Sequence, residues 1–230
     1  GYFAVITDGG DAYGEVILYN SQGSILSSWS SYNSGYPVCV AFNNDSTYMA
    51  VSTVNTTGAS AVPYIRLFSI GKNNNNSIEV SDQAIYTTSD SAIFASVIFI
   101  GDNIYAFASD SIYKVKDNEL AKLNVNFSSV NYVRKVNNNM FVVYSDSVGQ
   151  LNKLAVINGS DKIIYDSDIG SDINGIASSD GLCALSVDKR IIIMRSDGTI
   201  TRDISVDENV LRIDFIEDDK LCAVSTSGVH

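Results

Sequence analysis

One histidine, His230, and three cysteines, Cys39, Cys183 and Cys222, stand in a chain of 230 residues. That shortage removes most side-chain metal sites and every triad that depends on a histidine. No run of eighteen apolar residues occurs, so no segment reads as a membrane-spanning helix. The first residues do not have the basic, apolar and small-residue order of a secretory leader. Lys and Arg number 15 against 26 Asp and Glu, a net charge of −11. A surface of that sign repels nucleic acid and anionic lipid. Glutamate is scarce too: 5, against 21 Asp. Glu favours helices, whereas Asp, Asn, Ser and Gly bond to nearby backbone or accept positive φ and so favour turns. Prolines are two, Pro37 and Pro63.

What is present points to strands. Apolar residues make up 45% of the chain and aromatics 10%, enough for a packed core rather than a disordered chain. Hydrophobic period two, not 3.6, holds in nearly every segment, so no helix is expected.

One motif recurs six times. It reads Tyr2-Phe-Ala-Val-Ile-Thr-Asp8, Tyr48-Met-Ala-Val-Ser-Thr-Val54, Ile104-Tyr-Ala-Phe-Ala-Ser-Asp110, Met140-Phe-Val-Val-Tyr-Ser-Asp146, Leu182-Cys-Ala-Leu-Ser-Val-Asp188 and Leu221-Cys-Ala-Val-Ser-Thr-Ser227. The interval averages about 44 residues, the period of a four-stranded propeller blade. The third place is Ala4, Ala50, Ala106, Val142, Ala184 and Ala223. A small residue there suits a strand pressed between neighbouring blades. An apolar strand and a polar turn precede each internal copy, as in Val38–Phe42 then Asn43–Asp45. A third strand, a hairpin and a fourth strand follow, as in Val16–Tyr19, Asn20–Gly23 and Ile25–Trp29. Glycines in those hairpins supply the positive φ that tight loops need.

With strands lettered A to D from the axis outward, the chain reads BCD, four full ABCD blades, then AB, about 21 strands. The expected fold is an all-β propeller of about six four-stranded antiparallel blades in one domain spanning 1–230. The boundaries are a partial blade at 1–31, blades at about 36–90, 91–129, 130–170 and 171–207, and a partial blade at 208–230. A first blade without A and a last one without C and D lead to the expectation of an incomplete ring from a longer natural chain. A closed six-bladed ring with one thin blade is the alternative.

The pattern resembles the broad superfamily of WD-repeat, YVTN-repeat and quinoprotein-like β-propellers over essentially all 230 residues. The Trp-Asp signature of WD repeats is missing, since Ser30 follows the lone Trp29. The segment Leu18–Trp29 is similar to the third-to-fourth-strand turn of quinoprotein repeats. The Asn- and Asp-rich style resembles propeller ectodomains of Gram-positive gut bacteria, which often follow an amino-terminal membrane anchor. That resemblance implies an extracytoplasmic place, at the cell surface or secreted, with an anchor ahead of this chain.

Four copies of the motif end in Asp: Asp8, Asp110, Asp146 and Asp188. In a propeller they fall on one face, at the start of the B–C loops. They either form an acidic ring for a hard cation or a basic partner, or accept backbone N–H bonds within their own turns. The B–C loops 9–14, 55–63 and 147–152 are the irregular part of that face, and insertions on one face of a repeat array often mark the binding surface. Asp8, Asp11, Tyr13, Asp110, Asp146 and Asp188 are therefore the candidate ligand-binding residues. The longer Gly71–Ser77 excursion falls on the opposite face. The cysteines read as free thiols in apolar strands, with a 183–222 disulfide open only at bridging distance.

No catalytic residues, metal or cofactor are assigned. The expected function is a non-catalytic propeller that binds a protein or cell-envelope ligand on its B–C face, without nucleic acid. The competing reading is an enzyme: a carboxylate-dependent propeller acting on polysaccharide, or a quinoprotein-like oxidoreductase.

Overall fold

A computed structural model describes residues 1–75, 77–147, 150–217 and 220–229. Among them lie 21 strands and no helix. Sheet 1 holds β1 (Tyr2–Thr7), β2 (Glu15–Asn20) and β3 (Ile25–Ser30). Sheet 2 holds β4 (Tyr36–Phe42), β5 (Tyr48–Asn55), β6 (Val62–Lys72) and β7 (Ile78–Thr87). Sheet 3 holds β8 (Ser96–Ile100), β9 (Asn103–Phe107), β10 (Ile112–Lys116) and β11 (Glu119–Lys122). Sheet 4 holds β12 (Ser129–Val136), β13 (Asn139–Ser145), β14 (Lys153–Asn158) and β15 (Ile163–Asp168). Sheet 5 holds β16 (Ile173–Ser179), β17 (Leu182–Val187), β18 (Arg190–Arg195) and β19 (Ile200–Ser205). Sheet 6 pairs β20 (Val210–Glu217) with β21 (Lys220–Ser225). Each sheet is an antiparallel meander in chain order, so the strand grouping matches the three, four fours and two expected from the repeat.

Sheets 1–3 form one compact unit, residues 1–125, and sheets 4–6 a second, residues 126–230. In the first unit, Val16 and Leu18 of sheet 1 share a buried core with Met49, Val51, Phe68 and Ile70 of sheet 2. On the other side of sheet 2, Ala50 and Ile65 meet Val97, Phe99, Ile104 and Ala106 of sheet 3. In the second unit, Phe141, Val143 and Leu154 of sheet 4 pack with Cys183 and Leu185 of sheet 5. Ala177, Ala184 and Ile191 of sheet 5 then pack with Val210, Ile213 and Ala223 of sheet 6. The repeated alanines thus lie in the inter-sheet cores, where a larger side chain would hold the sheets apart. Strands β5, β13 and β17 are covered on both faces, which is why apolar residues fall at consecutive positions in them rather than alternating, broken only by buried hydroxyls such as Ser52, Thr53 and Ser186. Each large side chain so buried contributes about 1.5–3 kcal/mol.

The abundance of Asn and Asp follows from the β-hairpins. Asn20 Oδ1 accepts the amides of Gln22 and Ser24 at 3.0 and 2.8 Å. Asn73 accepts those of Asn75 and Ser77, and Asn158 those of Ser160 and Lys162, in the same pattern. A short amide side chain thereby satisfies two turn amides that the ladder leaves unpaired. Strands β6 and β7 run to Lys72 and from Ile78, so the expected 71–77 excursion narrows to the segment 73–77, of which Asn76 lies outside the described residues. The polar turn that precedes the last copy of the motif, at 217–219, includes Asp218 and Asp219, which with the terminal His230 also lie outside the described residues.

All three cysteines are free thiols. Cys183 belongs to the core shared with sheet 4, whereas its neighbour Ala184 faces the core shared with sheet 6, so Cys183 points away from Cys222 on β21. Burial pushes the Cys183 thiol far above its ordinary value.

One polar link ties sheets 1 and 2. Arg66 on β6 lies over the Trp29 indole, 5.3 Å from the ring centroid, donates to Ser34 Oγ at 2.7 Å and pairs with Asp82. Trp29 in turn meets Phe68 edge-on at 5.3 Å.

Candidate functional site

The β1–β2 loop begins at Asp8, whose Oδ1 accepts the Gly10 amide at 3.1 Å. The Gly9 carbonyl accepts the Ala12 amide at 3.2 Å, closing a compact turn that leaves Asp11 exposed. Beyond it the chain is clamped: Tyr13 N–H donates to the Ser31 carbonyl and Ser31 N–H to the Gly14 carbonyl, each at 2.9 Å. Ser31 is buried, and its hydroxyl donates to the Gly35 carbonyl at 2.6 Å, which closes the link from β3 to β4. Gly35 has φ of 78°, and a Cβ there would stand 2.1 Å from the Val54 carbonyl oxygen. Only glycine lets this link lie against the end of β5.

That frame presents tyrosines. The Tyr13 and Tyr36 rings meet edge to face, with centroids 5.1 Å apart at 67°. Tyr36 is half exposed and Tyr32, in the same closed link, is more so. Sequence reasoning found Tyr13 and missed Tyr32 and Tyr36, because 32–35 fell between the expected blades and Tyr36 at the start of the blade expected at about 36–90. The signal was there in Ser31-Tyr-Asn-Ser-Gly-Tyr36, two aromatics in a turn segment with no hydrophobic period to bury them.

The remaining candidates are held by their own surroundings. Asp110, in the first unit with Asp8, accepts the Ser111 hydroxyl at 2.7 Å in the β9–β10 turn. In the second unit, Asp146 follows β13 and pairs with Lys153. Asp188 occupies the tight β17–β18 turn at φ of 50°, and its carbonyl accepts the Val210 amide at 2.9 Å. The positions equivalent to these aspartates are Val54 in sheet 2 and Ser227 beyond β21. Among the described residues, no group of three or more His, Cys, Asp or Glu is placed to hold a metal ion. In the 147–152 loop, Val148 and Gly149 lie outside the described residues, while Leu151 N–H donates to Asp172 at 2.8 Å.

Two strand tyrosines repeat a different device. Tyr113 OH donates to Asp90 at 2.7 Å and its ring packs on Phe94, while Tyr144 OH donates to Asp166 at 2.6 Å and packs on Phe127. Burial, then the facing carboxylate, raises both phenols above their ordinary value. Phe94 and Phe127 come from the links that lead into β8 and β12, so each link is pinned by an apolar anchor beside a bonded hydroxyl. A cleft of about 410 Å³ opens in the second unit between 205–210 and β21. Its Glu208 accepts the Ser225 and Ser227 hydroxyls at 2.8 and 2.6 Å and the Ser227 amide at 3.2 Å, a cap on the end of β21.

Among solved structures, 548 chains are similar to this one. One is BBS1N in complex with ARL6DN, a β-propeller, at a TM-score of 0.62 and 11% identity. The match covers 98% of this chain and 72% of that one. With the antiparallel four-stranded sheets it establishes the fold as an all-β propeller of about six blades. No curated protein matches. The model of one sequence family matches residues 1–230, and the chain belongs to it: the family of unknown function DUF5711.

Proposed function

We propose that this chain is a non-catalytic binding module, carried outside the cytoplasm, that takes a protein partner on the loop face bearing Tyr13, Tyr32 and Tyr36. The observation that carries the reading is the rigid presentation of those rings. Three hydrogen bonds join the 8–14 loop, Ser31 and Gly35, two more close the 8–14 loop itself, and together they hold the backbone that carries these tyrosines before any partner arrives. Pre-set aromatic side chains lose little entropy on binding and supply large amphipathic contact area, which is why Tyr is enriched at interface hot spots. Asp8 and Asp11 flank the rings, and the chain carries a net charge of −11, so the partner surface that fits is basic around an apolar anchor. The propeller supplies a stiff scaffold on which loops are free to vary.

The test is site-specific photocrosslinking in intact cells. A crosslinker at Tyr32 is expected to capture one discrete protein, and the same group at Ile163, on the exposed outer strand β15, is expected not to. With that protein purified, Tyr36→Ala lowers affinity about tenfold or more, the loss of a hot-spot side chain, and Tyr36→Phe restores most of it. Equal capture from both positions, or unchanged affinity of Tyr36→Ala, refutes the site. Protease added to intact cells digests the module if it is displayed outside; protection from the protease refutes that placement.

A further inference from the structure

The 31–36 link that carries Tyr32 and Tyr36 is fastened at its ends and in its middle. Ser31 joins it to the 8–14 loop and, through its hydroxyl, to Gly35, whose backbone lies against the end of β5. In the middle stands Ser34, buried, whose hydroxyl accepts Arg66 Nη2 at 2.7 Å. That bond reaches the link from β6 of sheet 2. The same guanidinium lies over the ring of Trp29, which stands on β3 just ahead of Ser31. Phe68, next but one to Arg66 along β6 and so on its face, meets that ring edge-on. Asp82 on the neighbouring β7 pairs with Arg66 as well. A planar fork held over an indole has its N–H directions fixed, so it delivers its hydrogen bond to one place.

Arginine is a costly residue for that position. Its side chain is 15% exposed, and Nε is buried with no hydrogen-bond partner among the described residues. An unpaired buried donor weakens a fold, and an apolar side chain of similar length would fill the space beside Trp29 without that loss. Stability alone therefore does not account for Arg66, whereas its bond to Ser34 is something no apolar residue can make. We propose that Arg66 is a positioning residue for the tyrosine face: from sheet 2 it holds the 31–36 link in the shape that brings Tyr36 against Tyr13, without touching the partner. The consequence for binding rests on the function proposed above, while the order of the link is a property of this chain alone. Order set beforehand matters because conformations that a partner has to freeze out subtract from affinity.

Arg66→Met keeps the length of the side chain and removes the fork. Asp82, 45% exposed, stays solvated when left alone, so the thermal midpoint is expected to move by no more than about 2 °C. The link is expected to loosen all the same. Protection of the Tyr13 and Ser31 amides from hydrogen exchange falls about tenfold, and the nuclear Overhauser contact between the Tyr13 and Tyr36 rings weakens. Ser34→Ala gives the same loss and the double variant little more, since both remove one bond. Phe68→Leu, in the core shared by sheets 1 and 2, does the reverse: the midpoint falls by about 3 °C or more and the ring contact persists. Surface links open readily, so affinity for the protein captured at Tyr32 falls about threefold in Arg66→Met, with the fraction of link still closed. An unchanged link in Arg66→Met overturns the proposal, and so does a loosening that only tracks a falling midpoint. Unchanged affinity in Arg66→Met, where Tyr36→Ala still weakens binding, overturns the role of Arg66 and leaves the site standing. Unchanged affinity in Tyr36→Ala sinks the site instead, and the link measurements, made without partner, still decide whether Arg66 orders it.

Discussion

Gly35→Ala and Gly23→Ala place the same methyl group at nearly the same backbone angle in two different surroundings. Their φ angles are 78° and 80°. Alanine in that region costs roughly 1–2 kcal/mol, offset by about 0.4–1 kcal/mol because the unfolded chain has less freedom to lose. At Gly23, in the β2–β3 hairpin, a Cβ meets nothing within 4 Å, so the net loss stays near 1 kcal/mol. At Gly35 the Cβ stands 2.1 Å from the Val54 oxygen and 2.6 Å from Asn55 Cα, both backbone of β5. Neither atom moves without dragging the strand, and a forced overlap of this kind adds about 1–3 kcal/mol. Gly35→Ala is therefore expected to cost roughly 2–4 kcal/mol. Urea unfolding followed by Trp29 fluorescence measures both variants with one probe. Trp29 is the sole tryptophan and belongs to the same unit as both glycines. A further expected consequence concerns the proposed site: lifting the 31–36 link separates Tyr36 from Tyr13, so Gly35→Ala is expected to weaken binding of the proposed partner although Gly35 is not one of the proposed contact residues. Equal stability losses for the two variants would refute the close-approach argument.

Acid sensitivity follows from three carboxylates held below their usual range. Asp45 is lowered chiefly by the Thr47 hydroxyl, Asp197 by the Thr199 amide and Asp203 by the Arg190 guanidinium. A depressed folded-state value means these groups stabilise fully above the unfolded value near pH 4 and stop doing so as the pH falls through the folded one. Thermal midpoints are expected to be flat from about pH 7 to 5 with respect to these groups and to fall below about pH 4; a midpoint that rises toward pH 3 contradicts it. Thiol labelling of the native protein at about pH 8 is expected to modify Cys222 first, with Cys39 slower and Cys183 inert, because burial raises the Cys39 and Cys183 thiols. Labelling of Cys183 at the rate seen in denaturant would show that the sheet 4–sheet 5 core opens readily.

Much of the fold was legible in the chain because propeller strands and hairpins are local. Period-two patterning, Asn20, Asn73 and Asn158 at the hairpins, and the recurring alanine-centred motif each depend on residues a few places apart. The candidate site was less legible. Tyr13 and Tyr36 lie 23 positions apart, and their contact is made by the Ser31 clamp and the Gly35 approach to β5, which no local pattern encodes. Arg66 reads as an ordinary strand cation until sheet stacking sets it over Trp29.

The sequence by itself determined the β class, the number and order of strands and the turns between them, since short-range hydrogen bonding and side-chain alternation decide these. Only the tertiary structure decided which face of each strand meets a neighbour. Ala50 and Ala106 share a core between sheets 2 and 3, while Met49 and Val51 turn to sheet 1. The physical reason is that alternation puts side chains on two faces but carries no label for what will cover each one; packing between sheets supplies it.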